Sequence, residues 1–185
     1  NSGAMSGDLL ILTKPIGSGV LFNANLKGWV SEGALGRCLS VVNTLNRTSA
    51  ESVTDLDIHA ATDISGFGLA GHALEMARAS GVQLEINIKY VPLLDEALKM
   101  YRRGVSTGIN RTNRELIQNV TRFDHNLPAW HEEVTVDPQT SGGILFAVAA
   151  NDEAPALAKL RDAGVEATTI GKAIPYDEPY YLALV

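Results

Sequence analysis

The densest cluster of residues able to do chemistry is Thr62-Asp63-Ile64-Ser65-Gly66-Phe67-Gly68-Leu69-Ala70-Gly71-His72, where a carboxylate and a hydroxyl precede glycines. If a strand ends there and a helix begins, backbone N–H groups point outward and the helix dipole favours an anion, which makes Gly66 and Gly68 candidate phosphate contacts. Asp63 offers the complementary chemistry, because a carboxylate oxygen is a hard ligand suited to Mg2+. One carboxylate does not hold magnesium alone, so further ligands must come from elsewhere. The plain alternative makes Ser65 a helix cap, the glycines close-packing residues and Asp63 a turn residue. His72, single on a helix, reads as a packing histidine. Gly66, Gly68 and Gly71 also match the spacing of a dinucleotide fingerprint, with Glu85 nineteen residues after Gly66. Against it, Glu85 falls near the beginning of its strand, and Asp63 and Ser65 interrupt a stretch that should run apolar. A dinucleotide-binding module therefore stands as the alternative reading.

A second unusual segment is Asp137-Pro138-Gln139-Thr140-Ser141-Gly142-Gly143. Successive amides at such a turn form an anion-binding concavity, with Thr140 and Ser141 as additional donors. The plain reading is a β-connection set by Pro138 and the two glycines. Lys14, ahead of Pro15-Ile16-Gly17-Ser18-Gly19, is either a phosphate contact or a solvated strand end. There is no glycine-Lys-Ser/Thr phosphate loop and no serine nucleophile elbow, and Cys38 falls on an apolar helix face where it reads as core. No self-contained active site is visible.

The elements that must position these residues follow from periodicity. Leu9–Thr13 is a short apolar run bounded by Gly7 and Lys14-Pro15 and predicts a buried strand. Gly17 and Gly19 open a turn. Leu35, Leu39, Val42 and Leu45 predict a helix over about 32–45. Ile58–Thr62 predicts a second strand, followed by a helix carrying Phe67, Leu69, Leu74 and Ala77 and stopping at Gly81. Leu84–Ile88 alternates with period two. Pro92 suits the first turn of a helix running to Arg103 and closed by Gly104, with a polar loop over 104–114. Glu133–Val136 and Ile144–Ala149 predict strands, Glu153–Ala163 a helix closed by Gly164, and Thr168–Ile174 a last strand. Interleaving of this kind predicts one α/β or α+β layered domain, residues 8–185, with helices packed on a sheet. Residues 1–7 are small, polar and patternless, as a scar or frayed lead would be.

Of the 185 residues, 15 are Lys or Arg and 21 are Asp or Glu, a net charge of -6. That balance gives no general attraction to a phosphate backbone, so nucleic acid is a poor partner. No apolar run is long enough to span a bilayer and no secretion signal is visible, which predicts no membrane partner and a soluble protein of the reducing cytoplasm. One cysteine excludes a disulfide framework, and the four histidines lack the paired spacing of a structural zinc site.

Four segments together resemble the selenophosphate synthetases (selenide, water dikinases), specifically their carboxyl-terminal domain. They are Leu12-Thr13-Lys14-Pro15-Ile16-Gly17-Ser18-Gly19, the run Ala61 to His72, Leu84 to Leu94, and Asp137 to Gly143, in family order. The resemblance implies a fold like the second domain of aminoimidazole ribonucleotide synthetase, with a mixed, largely antiparallel sheet. It also implies that ATP, selenide and water are converted to selenophosphate, AMP and orthophosphate with Mg2+, and that the enzyme is a homodimer. Asp63 matches a family aspartate that joins carboxylates of the amino-terminal domain around magnesium. Lys14, Thr140 and Ser141 carry over only as motif residues with phosphate-contact roles. The family's reactive Cys or selenocysteine, its catalytic Lys and most nucleotide contacts belong to an amino-terminal domain that this sequence does not contain, and Cys38 is not that cysteine. The loop Gly108 to Asn113 keeps only the first Gly and final Asn of the family pattern. The chain is expected to be an excised domain or proteolytic remnant, folded alone but catalytically incomplete.

Overall fold

The apolar run after Gly7 forms strand β1, Leu9–Leu12, in which Leu10, Ile11 and Leu12 are fully buried. Burial on both faces explains why this run is continuous where a half-exposed strand would alternate. Leu10 and Leu12 join the larger core cluster, whereas Ile11 points the other way into a smaller cluster with Phe146, Ala156 and Leu160. The computed structural model describes all residues, 1–185. The other strands are β2 (Ile58–Asp63), β3 (Val82–Ile86), β4 (Thr121–Phe123), β5 (Ile144–Val148), β6 (Thr168–Pro175) and β7 (Leu182–Leu184). They make one sheet in the order β2-β5-β1-β6-β3-β7-β4. β1 pairs antiparallel with β5 and β6, β2 with β5, and β3 with β6, while β7 lies parallel to β3 and β4. The mixed, largely antiparallel α+β sheet expected above is what forms.

Eight helices accompany it: α1 (Ser18–Asn25), α2 (Glu32–Asn43), α3 (Arg47–Glu51), α4 (Gly68–Ser80), α5 (Ala97–Arg102), α6 (Asn110–Ile117), α7 (Trp130–Val136) and α8 (Glu153–Asp162). Helices α1, α4, α5 and α7 supply the larger cluster, and α8 supplies the smaller one. α4 ends at Gly81 in a left-handed conformation (φ 69°), the stop anticipated there. α2 begins at Ser31, whose Oγ accepts from the Ala34 N–H at 3.2 Å, with Glu32 in the first turn. Ser31→Ala should therefore cost about 1 kcal/mol, measured as a lower midpoint of denaturant unfolding with unchanged slope. No helix is long and apolar enough to cross a membrane.

Several expectations are corrected. Glu133–Val136 is helical: Val134 and Val136 bury into the larger cluster along α7, so tertiary packing overrides their β-branched preference. The helix stops at Asp137, which is extended (ψ 122°) ahead of Pro138, as steric contact with a proline ring demands. The loop over 104–114 contains the start of α6, whose buried face is Asn110, Asn113 and Ile117; a face made of asparagines leaves no apolar period to detect. Pro92 does not open a helix. The chain runs extended there, with Ile16 N–H donating to Pro92 O and Leu94 N–H to Ile16 O, both at 2.9 Å, and α5 begins only at Ala97. The third strand lies two residues earlier than its alternation suggested, and Ile88–Tyr90 is a short 3-10 turn. α2 turns Ala34 and Cys38 inward and leaves Leu39 exposed, because the small side chains form its packing face, and it ends at Asn43, so Leu45 lies exposed beyond it. Cys38 is core, as expected. The turn after Gly17 is the helix α1, and β4, β7 and α3 had no visible signal. The lead is docked where fraying was expected: Ala4 lies in the core, and the Gly3 and Ala4 N–H groups both donate to Ser80 Oγ at 3.1 Å.

Candidate functional site

Antiparallel pairing brings the motifs together. Asp63, the last residue of β2, pairs with Ile144, the first of β5, and Leu12 at the end of β1 pairs with Leu145. The segments that leave β1, leave β2 and enter β5 therefore meet at one end of the sheet. They are stitched by main-chain bonds: Thr13 N–H to Ile144 O at 3.1 Å, Ile64 N–H to Gly143 O at 2.9 Å, and Gln139 N–H to Ser65 O at 2.9 Å. Gly142 is needed for this approach, because a Cβ there would lie 2.4 Å from Ile64 O.

Asp63 is exposed at the rim of this junction. Apart from ladder bonds, its contact is a Thr62 hydroxyl donating to its main-chain oxygen at 3.4 Å, so its carboxylate is uncommitted. No three His, Cys, Asp or Glu side chains of the chain converge to hold a metal, and Asp63 enters any such site as a single ligand. Gly66 is exposed beside it. Gly68 opens α4 with φ 71°, and a Cβ would stand 2.8 Å from Thr135 O, so it serves the packing of α4 on α7. α4 has no side-chain cap, and its first-turn amides carry the positive end of the dipole next to the Asp63 segment.

Ser65 is not the cap. Its hydroxyl bonds His72 Nε2 at 2.9 Å, while its carbonyl accepts from Gly68 N–H and Gln139 N–H. His72 is a buried packing residue, tilted against Phe67 at 5.6 Å between centroids. The dinucleotide alternative fails on topology. Its fingerprint needs two neighbouring parallel strands around the helix, yet β2 and β3 stand at the first and fifth positions of the sheet. Glu85 is engaged with Lys172 at 3.4 Å.

Thr140 and Ser141 are exposed at the same end, and Ser141 holds φ 47°, rare for a residue with a side chain. Lys14 is buried rather than solvated. Its ammonium donates to Thr44 O at 2.6 Å and Ser141 O at 2.9 Å, and burial lowers its pKa. Two of its three donors thus clamp the 140s turn to the end of α2. Lys14 also lines a cavity of about 210 Å³ with Arg37, Ser40, Thr44 and Glu166, a space that includes neither Asp63 nor Thr140.

The sequence reading missed the residues that hold the junction. Asn113, the Asn left from the divergent loop, donates through Nδ2 to Gly66 O and to Val136 O, both at 2.9 Å, tying the α4 entrance to the end of α7. Gln139 and Asp137 are buried inside the turn that Thr140 and Ser141 decorate. Their signal was present as the amide and carboxylate of the Asp137-Pro138-Gln139 motif, but burial cannot be read from a turn composition.

The comparisons fall on this architecture. The family described as AIR synthase related protein, C-terminal domain, matches residues 5–180. The chain belongs to that family. Within it, the chain is similar to the selenide, water dikinase of Clostridioides difficile, 37% identical over the whole chain and 53% of that protein. It is also 37% identical to the selenide, water dikinase of Myxococcus xanthus, over 93% of the chain and 49% of that protein. The chain spans about half the length of these curated relatives. Among solved structures, thiamine-monophosphate kinase of Stenotrophomonas maltophilia superposes with a TM-score of 0.70 at 14% identity, covering 99% of this chain and 51% of that one. Escherichia coli HypE gives 0.65 at 20% identity over 97% of this chain and 47% of that one. These two show that the AIR synthase-like fold is shared.

Proposed function

We propose that this AIR synthase-related chain is the carboxyl-terminal half of a selenide, water dikinase, an enzyme that forms selenophosphate from selenide, ATP and water and releases AMP and orthophosphate. The observation that carries the reading is the 37% identity to such an enzyme along the entire chain. The convergence of the motifs at one sheet end supports it. Asp63 is the magnesium ligand of this half: its oxygens are hard donors, exposed and free of internal partners, beside the positive end of α4. Magnesium bound there neutralises polyphosphate charge. Gly66, exposed just ahead of α4, offers its amide to that anion, while Gly68 only opens the helix because its own N–H is held by Ser65 O; Thr140 and Ser141 add hydroxyl donors, and Lys14 adds positive charge behind the 140s turn.

The amino-terminal half supplies the catalytic Lys, the Cys or selenocysteine and the remaining carboxylates, and the intact enzyme works as a cytoplasmic homodimer. Phe67 and Leu116, half-exposed on either side of Gly71 at the α4 entrance, are apolar surface for that half to cover. The purified 185-residue chain, incubated with ATP, Mg2+ and selenide, should form no AMP, and the intact parent polypeptide should form it. Turnover by the chain alone would overturn its incompleteness, and an inert parent would overturn the assignment.

A further inference from the structure

Gln139 uses its side chain to capacity. Its Oε1 accepts from Gly17 N–H at 2.9 Å and from the Ser18 N–H and Ser18 hydroxyl at 3.1 Å, while Nε2 donates to Asp137 O at 2.8 Å and Asp137 Oδ2 at 2.9 Å. Only one amide orientation satisfies this set, because a flip would aim NH2 at three donors. The Ser18 hydroxyl is fixed in turn: it gives its proton to Gln139 and accepts from Thr140 N–H at 2.9 Å. Asp137 anchors the hub from below. It is fully buried, and its Oδ2 also accepts from Tyr101 OH at 3.0 Å and Val20 N–H at 3.2 Å, while Oδ1 has no partner.

We infer that Gln139, Ser18 and Asp137 are positioning residues, a buried hub that locks the Gly17–Gly19 turn to the Pro138–Gly143 turn and so fixes Thr140 and Ser141 against the strand end carrying Asp63. The inference rests on the proposed function for its kinetic readout. Its geometric content does not: the hub reaches Asp63's segment through the Gln139 N–H to Ser65 O bond, and reaches Thr140 through Ser18. A purely stabilising core would need neither link. So dense a polar network under an exposed turn is costly to desolvate, and it specifies one conformation of that turn.

The groups facing Asp137 are Tyr101 of α5, Cys38 of α2 and Glu133 of α7. Burial raises the Asp137 carboxyl to about 7, against its donors, and burial together with the Asp137 charge raises Tyr101 and Cys38. An acid whose folded pKa exceeds its unfolded value of about 3.9 stabilises the fold in its protonated form. That contribution is complete below pH 4 and is lost as pH rises through 7.

The test uses the parent protein with Ser18→Ala and Asp137→Asn. Ser18→Ala deletes one hydroxyl and leaves the core apolar packing intact, so it should fold. KM for Mg-ATP should rise about tenfold, since small misplacement of binding groups is felt strongly, and amide exchange should accelerate at residues 139–143 but not in β1 or β5. Asp137→Asn should flatten the fall of stability between pH 4 and 7. A folded Ser18→Ala protein with unchanged KM and unchanged exchange overturns the inference. If the wild-type parent forms no AMP, the functional reading fails, and the exchange pattern alone decides the hub.

Discussion

Asp63→Ala in the parent protein should lower AMP formation by about a hundredfold, the equivalent of nearly 3 kcal/mol of lost transition-state stabilisation. The loss should be partly recovered by raising Mg2+, because a missing ligand weakens the ion's hold and leaves the chemistry itself intact. Thermal stability should not change. The carboxylate is exposed and forms no internal ion pair or side-chain hydrogen bond, so its removal leaves no buried group unpaired. This separation of activity from stability distinguishes a ligand from the turn residue of the plain reading, which would trade stability for little change in kinetics. Wild-type magnesium dependence in the mutant would remove Asp63 from the site.

The contrast between Asp63 and Asp137 shows how much of this site was legible in the sequence. Both aspartates sit at element ends beside glycines and hydroxyls, and both segments stood out by composition. Which carboxylate is free and which is buried depends on the register of β2 with β5 and on α5 delivering Tyr101, neither of which is a local property. Lys14 illustrates the same limit: its position after β1 was readable, but its burial under α2 depends on a helix beginning eighteen residues later. The strands with continuous or alternating apolar runs, β1, β5 and, offset by two residues, β3, were legible because burial on a sheet imposes its period on the chain. The failures share a cause. The α6 face is built from Asn110 and Asn113, and the α7 face from valines, so each helix carries residues whose local preference points elsewhere and whose tertiary partners decide. β4 and β7 have three residues each, too few to show any period.

The junction itself can be broken without touching a polar side chain. Gly142→Ala should damage this end of the sheet with a single methyl group. The new Cβ would meet Ile64 O at 2.4 Å and Gln139 Cβ at 3.1 Å, and the nearest atom is backbone that cannot rotate away. Relief requires the Asp63 segment to part from the 140s turn, lengthening the Ile64 N–H to Gly143 O and Gln139 N–H to Ser65 O bonds together. The expected cost is about 1–3 kcal/mol in stability, the usual range for a methyl forced into a filled site. AMP formation by the parent should fall further than the folded fraction does, because the displaced groups are Asp63 and Thr140 themselves. The control is Gly33→Ala or Gly36→Ala on α2, where an added Cβ has nothing within 4 Å. There the same chemical change should stabilise by about 0.5–1 kcal/mol through helix propensity. Opposite signs for one methyl group at the two places, read by urea unfolding, would show that the junction is held by backbone proximity. A neutral Gly142→Ala would show that the two segments have room to move independently.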